Sequence, residues 1–371
     1  MEEWKEYKLG EVCTELSDGL HKAPKFKMGG DYIFVNAKNI VGGFIVDNDP
    51  TKKSTLEEYL KYASPLNDTS VLYSIDGTIG NVALYRGEKC ILGKGACYMN
   101  PNPQVLDRMF LYYELQSPRF KSYIDKMSTG STIKHISLKT MRGYNFAFPS
   151  LETQRQISSI LKSLDDKIEI NGRINDNLEQ QAMAIFDKVF PAIASGEDTI
   201  GSMITPKRGK GLLSKDAVEG NVPVVAGGLE PSTYHNESNT IAPVITISAS
   251  GANAGYVNLW HIPVWSSDSS FIDGSMTENV YFWYVMLKKR QKEIFDAQTG
   301  SAQPHIYPRH IAEMPLGKFE QPDVDKFTEI VTPMFEIRGK NMKESERLAS
   351  IRDTLLPKLM SGELKLENIN M

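Results

Sequence analysis

The chain has 371 residues, 41% of them hydrophobic and 24% charged, with a formal net charge of −4. That length suits two or three domains, each able to bury its own core, and no apolar run approaches the ~20 residues of a membrane helix. A net negative chain is not one coated in nucleic acid, so any nucleic-acid surface must be local.

Residues 1–148 read as a mixed α+β globule. Strand-like runs at 32–35, 71–75 and 81–85 alternate with glycine turns at Gly42-Gly43 and Asp76-Gly77, and a helix-like stretch follows at 110–115. The opening Met1-Glu2-Glu3-Trp4-Lys5 has neither the basic nor the apolar region of a secretory signal. Cys13, Cys90 and Cys97 are odd in number and lack metal-ligand spacing, which fits a reducing cytoplasm. Residues 149–195 carry a heptad pattern: Ile157, Leu164, Asn171, Leu178 and Ile185 form one row, and Leu161, Ile168, Asn175, Ala182 and Val189 the other. Pro149 and Pro191 bracket it as helix breakers. A second globule at 196–319 repeats the scheme with a divergent sequence. Its 281–286 stretch answers 110–115, and Gly255 follows Ser250-Gly251 much as Gly80 follows Asp76-Gly77. Residues 320–371 supply a second heptad helix, with Phe327, Met334, Asn341, Leu348 and Leu355 in one row and Ile330, Ile337, Glu344 and Ile351 read as the other. Helices this long would span about 50–60 Å at ~1.5 Å rise per residue. The seam is polar at its middle in both helices, a device that fixes register and partner choice, so the two helices are expected to pair with each other. The plainer reading is that each helix packs separately on its own globule.

The chain repeats itself at one constant spacing. Thr129-Gly130-Ser131, His135-Ile136 and Lys139 return as Thr299-Gly300-Ser301, His305-Ile306 and Arg309, and the register continues through the helices without a gap, where Ile157 falls on Phe327 and Asn171 on Asn341. One unit duplicated about a pseudo-two-fold axis accounts for this, and such symmetry suits a two-part target. Charge is uneven: 1–150 carries 19 Lys and Arg against 17 Asp and Glu, whereas the helical segments 151–190 and 320–371 together carry 13 against 17. The basic clusters are Lys22 to Lys27, Lys207-Arg208-Gly209-Lys210, and Lys288-Lys289-Arg290-Gln291-Lys292; the plain alternative for each is a solvated face.

The whole plan resembles the specificity (S) subunit of type I restriction-modification systems. The most distinctive pieces are Leu355-Leu356-Pro357-Lys358-Leu359-Met360-Ser361-Gly362-Glu363 and, at the head of the first helix, Leu151-Glu152-Thr153-Gln154-Arg155-Gln156-Ile157. The resemblance implies a mixed α/β fold in which two target-recognition globules are joined by two long antiparallel coiled-coil helices. It implies that each globule reads one half of a bipartite double-stranded DNA sequence while the helices set the spacing. It also implies two methyltransferase (M) subunits docked on the helices, restriction (R) subunits joining them, no membrane, and no catalysis by this chain. Two readers on one face of a duplex sit about 34–36 Å apart, a span that helices of this length cover.

Catalytic motifs are absent. Asn100-Pro101-Asn102-Pro103 lacks the Pro-Pro-aromatic core that an adenine methyltransferase uses to hold a flipped base. Gly87 to Gly93-Lys94-Gly95 has the wrong spacing and ending for a phosphate loop. Pro322-Asp323-Val324-Asp325-Lys326 loosely matches a nuclease motif, but its acids suit the start of a helix. The six histidines show no metal-ligand pairing, and neither cofactor nor metal is expected. The candidate DNA-binding residues therefore come from the repeat and the basic clusters. Ser131, Lys134, His135 and Lys139, with Ser301, His305 and Arg309, either hold phosphates or stabilise the junction between globule and helix. Lys22 and Lys25 in the first globule, and Lys207, Arg208 and Lys210 in the second, suit guanine edges and phosphates alike. The competing reading is a duplicated coiled-coil scaffold that bridges other proteins without touching DNA.

Overall fold

The computed structural model describes residues 4–129, 134–300 and 303–366. The chain divides into two units, Met1–Lys167 with Arg347–Met371, and Ile168–Glu346. Each contains one end of each long helix, Leu151–Val189 and Gln321–Met360.

In the first unit, Lys5–Lys8 pairs antiparallel with Asn145–Phe148. A four-stranded antiparallel sheet has the order Cys13–Asp18, Ala96–Pro101, Val71–Ser74, Val82–Leu84. Val71–Ser74 and Ala96–Pro101 are buried along their whole length; the first reads as a short apolar run in the sequence, whereas the second, which ends in Asn100 and Pro101, does not. A three-stranded sheet has Tyr32–Val35 at its centre, antiparallel to Lys53–Ser54 and parallel to Cys90–Leu92. Helix Arg108–Glu114 starts at Asp107, whose carboxylate accepts from the Phe110 amide at 2.9 Å. Helix Pro118–Met127 starts at Ser117 with proline in its first turn. These helices close the core over Val71, Tyr73, Met99, Phe110 and Phe120. The ends of both long helices seal it with Ile157, Leu161, Leu359 and Met360, all at most 2% exposed, and each such side chain contributes roughly 1.5–3 kcal/mol. After Met360 the chain turns through Gly362 at φ +73°, a left-handed conformation glycine adopts without strain. An added Cβ there would also lie 3.1 Å from the Trp4 indole.

Among the described residues, the second unit repeats these three sheets without a counterpart of the small antiparallel pair Ile40–Val41 and Phe44–Ile45 of the first. Asp198–Thr199 pairs with Pro315–Leu316, and a four-stranded sheet has the order Lys207–Arg208, Ser269–Asp273, Val244–Ser248, Val257–Trp260. The three-stranded sheet centres on Val222–Val225, antiparallel to Thr233–His235 and parallel to Trp265–Ser266, the same senses as in the first unit. Its aromatic core joins Phe186, Phe190, Phe282 and Phe327, with the Phe186 and Phe327 rings 5.4 Å apart.

The expected strands at 32–35, 71–75 and 81–85 and the helices at 110–115 and 281–286 are all present. The seam of the first long helix is as its heptads indicate, with Leu161, Asn171 and Ala182 fully buried; Val189, the last position of the row, is exposed. Its polar middle lies in the second unit. The Asn171 amide donates to Glu344 Oε2 at 2.8 Å, and the Asn341 amide donates to Asn175 Oδ1 at 3.0 Å, so the two helices pair with each other there. The second helix requires one correction. Ile330, Ile337 and Ile351 are 43%, 45% and 37% exposed, and Glu344 is exposed too. The inward row lies one residue later, at Val331, Arg338, Ser345 and Arg352. Arg352 pairs with Asp165 at 2.7 Å in the first unit, and Arg338 meets His261 at 3.2 Å in the second.

Candidate nucleic-acid interface

The Thr…His repeat is a backbone clip. Thr129 and His135 exchange both amide bonds, at 2.9 and 3.1 Å, and Thr299 and His305 do the same at 2.8 and 3.0 Å. The residue after each histidine then ties the clip to the end of a sheet strand: Ile136 donates to Ile75 O and Ile306 to Ala249 O, both at 2.9 Å. The turn glycine returns the bond, Gly77 to Lys134 O at 3.2 Å and Gly251 to Pro304 O at 3.1 Å. Gly77 and Gly251 have φ of +73° and +82°, which explains why each globule places glycine there. The clip fixes where the repeat sits in each globule, with the threonine hydroxyl also donating to the histidine carbonyl at 3.4 Å and the following isoleucine buried in both copies.

The charged members of the repeat lie around this clip. Lys134 and Lys139 are exposed, with Lys139 in the short helix Leu138–Arg142; Arg309 is exposed in the matching helix Pro308–Ala312, its guanidinium 5.6 Å from the Tyr307 ring centre. His135 and His305 are half-buried, and His135 Nδ1 is buried without a hydrogen-bond partner among the described atoms. Ser131 and Ser301 lie outside the described residues.

Lys22 and Lys25 are exposed in the loop between Cys13–Asp18 and Tyr32–Val35. The loop's backbone is held by the Lys25 amide donating to Glu58 Oε2 at 3.0 Å and by Ser54 Oγ donating to Lys25 O at 2.7 Å. The same loop exposes Lys27, Phe26 and Met28, the last at 84%. In the second unit, Lys207 and Arg208 form the edge strand of the four-stranded sheet and Lys210 follows it, all exposed. Arg208 is committed to Asp268 at 2.5 Å, and Asp268 also accepts from the Ser250 hydroxyl. Lys210 Nζ lies 5.9 Å from the Trp265 ring centre, and Trp265 Nε1 donates to Lys210 O at 2.8 Å. A lysine beside an aromatic face suits a nucleic-acid chain, offering charge to phosphate and a flat surface to a base. The sequence does not single out Trp265, because it lies far from Lys210 along the chain and meets it through contacts made only in the fold, the Trp265 indole donating to Lys210 O and the Lys210 amide to Ser266 O.

The third basic cluster is structural. Lys289 pairs with Asp187 at 2.7 Å, Lys292 with Asp296 at 2.5 Å, and Arg290, 4% exposed, pairs with Glu293 and donates to Pro315 O, each at 2.7 Å. Lys288 donates to Val257 O at 3.1 Å. Asp323 lies in the first turn of the second long helix, as the helix-start reading of 322–326 requires, and Asp325 accepts from Gln321 and Asn279. Among the described residues no group of three His, Cys, Asp or Glu is placed to hold a metal ion, and no helix is long and apolar enough to cross a membrane.

Residues 1–180 match the family model of the type I restriction modification DNA specificity domain. Over 99% of this chain and 95% of the relative, the sequence is 24% identical to the specificity subunit of the type I restriction enzyme MjaIX from Methanocaldococcus jannaschii. It is 27% identical to a Mycoplasma genitalium chain assigned as a type I specificity subunit, over 81% of this chain and 82% of that one. In fold it is similar to the crystal structure of a type I restriction-modification S subunit from M. genitalium, with a TM-score of 0.59 and 23% identity over 97% of this chain and 96% of that one. Residues 1–180 thus match the type I restriction modification DNA specificity domain, and the whole chain is similar in sequence and in fold to type I specificity subunits.

Proposed function

We propose that this chain is the DNA-reading subunit of a type I restriction-modification complex, each globule reading one half of a bipartite double-stranded site. The target recognition domains are 1–148 and 196–319; 149–195 and 320–371 are the helices that set their spacing and dock two methyltransferase subunits, which restriction subunits join. The chain supplies recognition and geometry, and the chemistry belongs to those partners. The observation that carries the reading is that the two units share one topology while differing in the side chains of their exposed loops, as two readers of different sequences on one frame must. Three free cysteines support a reducing, cytoplasmic setting; burial pushes the Cys13 and Cys90 thiols up to about 12, so neither is a thiolate at neutral pH.

The test is to purify the chain with its methyltransferase partner and map adenine methylation across a random-sequence DNA library. The expected result is methylation confined to one split motif, with binding that weakens steeply as salt rises. A stable complex that methylates nothing, or methylates without sequence preference, would return the chain to the scaffold reading.

A further inference from the structure

The loop leaving the first strand of each four-stranded sheet spans 19–31 in one unit and 209–221 in the other, between strands that end at Asp18 and Arg208 and begin at Tyr32 and Val222. The two loops are equal in length and clamped alike at both ends, which sets a common register, although between the clamps Phe26 bridges to Ser54 in one while Ser214–Asp216 forms a short 3-10 helix in the other. Gly19 and Gly209 each lie against the parallel neighbour strand or its end: a Cβ on Gly19 would stand 2.1 Å from Leu92 O, and one on Gly209 2.4 Å from Ser266 O. The next amide donates to that same carbonyl in both units, Leu20 to Leu92 O at 2.8 Å and Lys210 to Ser266 O at 2.9 Å. At the far end, Gly30 and Gly220 lie against the antiparallel edge strand, where added Cβ atoms would stand 2.3 Å from Ser54 O and 2.4 Å from His235 O. Only glycine admits such approaches without moving backbone. The clamps impose their own spacing, Gly19 to Gly209 and Gly30 to Gly220, which is longer than the spacing of Thr129 to Thr299 in the clip.

In that register Lys25 corresponds to Lys215, and both are exposed with no ion pair among the described residues. Met28 corresponds to Val218, 84% and 55% exposed, an apolar tip in each loop. The neighbouring positions diverge in chemistry: Lys210 stands in place of Leu20, Leu212 in place of Lys22, and Asp216 in place of Phe26.

We propose that these two loops are the reading elements of the two units, with Lys25 and Lys215 holding a backbone phosphate at the same place on each half-site and Lys22 and Lys210 distinguishing the bases. The assignment rests on the DNA-reading function proposed above. An ammonium group meets phosphate as a point charge and carries no sequence information, so the same residue serves both halves. Base edges are told apart by residues that differ, and lysine is suited to guanine O6 and N7, which makes unlike lysine positions a basis for unlike half-sites. Clamped ends reduce the ordering that such a loop needs on binding.

The experiment uses the full chain in complex with its methyltransferase subunits, reading DNA affinity by anisotropy and the motif by methylation mapping. Lys25→Gln and Lys215→Gln are each expected to weaken binding on the order of 5- to 10-fold and reduce the salt slope by about one, with the motif unchanged. Lys22→Leu is expected to relax one half of the motif and Lys210→Leu the other. All four side chains are exposed, and unchanged melting temperatures verify folding. A wild-type split motif with all four variants retaining motif and affinity overturns the loop assignment while leaving the DNA-reading function intact. A change of motif in Lys25→Gln or Lys215→Gln overturns the division of roles. A wild-type complex without a split motif overturns the function itself.

Discussion

Replacing Gln154 by leucine should cost the first unit about 2–4 kcal/mol, although the side chain stays similar in size. Gln154 lies one turn into the first long helix and is fully buried. Its Oε1 accepts from the Asp107 amide at 2.8 Å, and its Nε2 donates to Val105 O at 3.0 Å and Pro149 O at 2.9 Å. One side chain therefore satisfies three backbone groups, joining the loop before helix Arg108–Glu114 to the entry of the long helix. Each bond is worth about 1 kcal/mol net, and a buried group left without its partner costs about 1–3 kcal/mol. Leucine offers no partner to any of the three. The nearby polar side chain is Ser158, whose hydroxyl is already bonded to Gln154 O at 2.8 Å and to Asp107 Oδ1 at 3.2 Å. Hydrogen exchange on the full chain is the suitable assay. Trp4 is the first unit's sole tryptophan against three in the second, so fluorescence reports mainly on the second. The amides of 105–115 should exchange faster by a factor corresponding to that energy, while those of 280–289 stay as in the wild type. A leucine variant whose 105–115 amides stay within about 0.5 kcal/mol of wild type, the scatter of an inconsequential surface change, would refute the reasoning, because the three backbone groups would then have found other partners at no cost.

Two further outcomes test the seam and its surroundings. Val331→Ala, at a fully buried position, should destabilise the second unit by about 2 kcal/mol, whereas Ile330→Ala, 43% exposed, should cost under about 1 kcal/mol; tryptophan-detected denaturant titration separates them, and the reverse order would restore the heptad phase read from the sequence. His261 is held at about 4, below the ordinary histidine value, by burial and by the neighbouring Arg338. Because its folded-state pKa is depressed, the unfolded chain takes up the proton first. The contribution is therefore present in full above pH 6.5, falls as the pH drops from 6.5 to about 4, and is flat below. By pH 4.5 the second unit should have lost about 2–3 kcal/mol through this residue. Carboxylates add their own pH dependence, so the quantity to measure is the difference between wild type and His261→Asn, which should lack this slope; equal slopes in the two proteins would count against the assignment.

The sequence makes the long helices, the repeat and the strands at 71–75 and 81–85 legible because each has a strong periodic or continuous apolar signal, whereas the equally buried Ala96–Pro101, Val244–Ser248 and Ser269–Asp273 carry Asn, Thr, Ser or Asp within them and are not read. The phase of the second helix is misread for a physical reason. Its inward row carries Arg338, Ser345 and Arg352, which are tolerated there because His261, Asn171 and Asp165 meet them, while isoleucines sit one position earlier on the exposed side. Hydrophobicity alone therefore selects the wrong row. The three-stranded sheets are illegible for another reason: their edge strands are as short as Lys53–Ser54 and Trp265–Ser266, and they exist through pairing with distant residues and not through their own pattern. The cluster at 288–292 is a charge run in sequence, yet its acids are Asp187, Glu293 and Asp296, and the first of these comes from a different helix.

Frame and reader differ in the spacing at which they recur. The clip, which is made of backbone bonds, and the helices on which the globules rest keep the spacing of Thr129 to Thr299 and Asn171 to Asn341. A related pairing falls one position off that register, where Tyr113 donates to Asp165 at 2.7 Å and Tyr284 donates to Glu179, each tyrosine fixing its globule to a carboxylate of the first long helix. Burial holds both phenols above their ordinary value, so they remain donors at neutral pH. The longer spacing of Gly19 to Gly209 preserves only the glycine clamps, one lysine and an apolar tip, with unlike side chains between them. Two different offsets in one duplicated fold mean that insertions and deletions accumulated between loop and clip without disturbing either. A frame whose contacts are mostly backbone bonds and core packing tolerates such drift, because none of those contacts depends on which residues the exposed loops present. Exchange of one loop between family members should then alter what is read without altering how the globule stands on its helices.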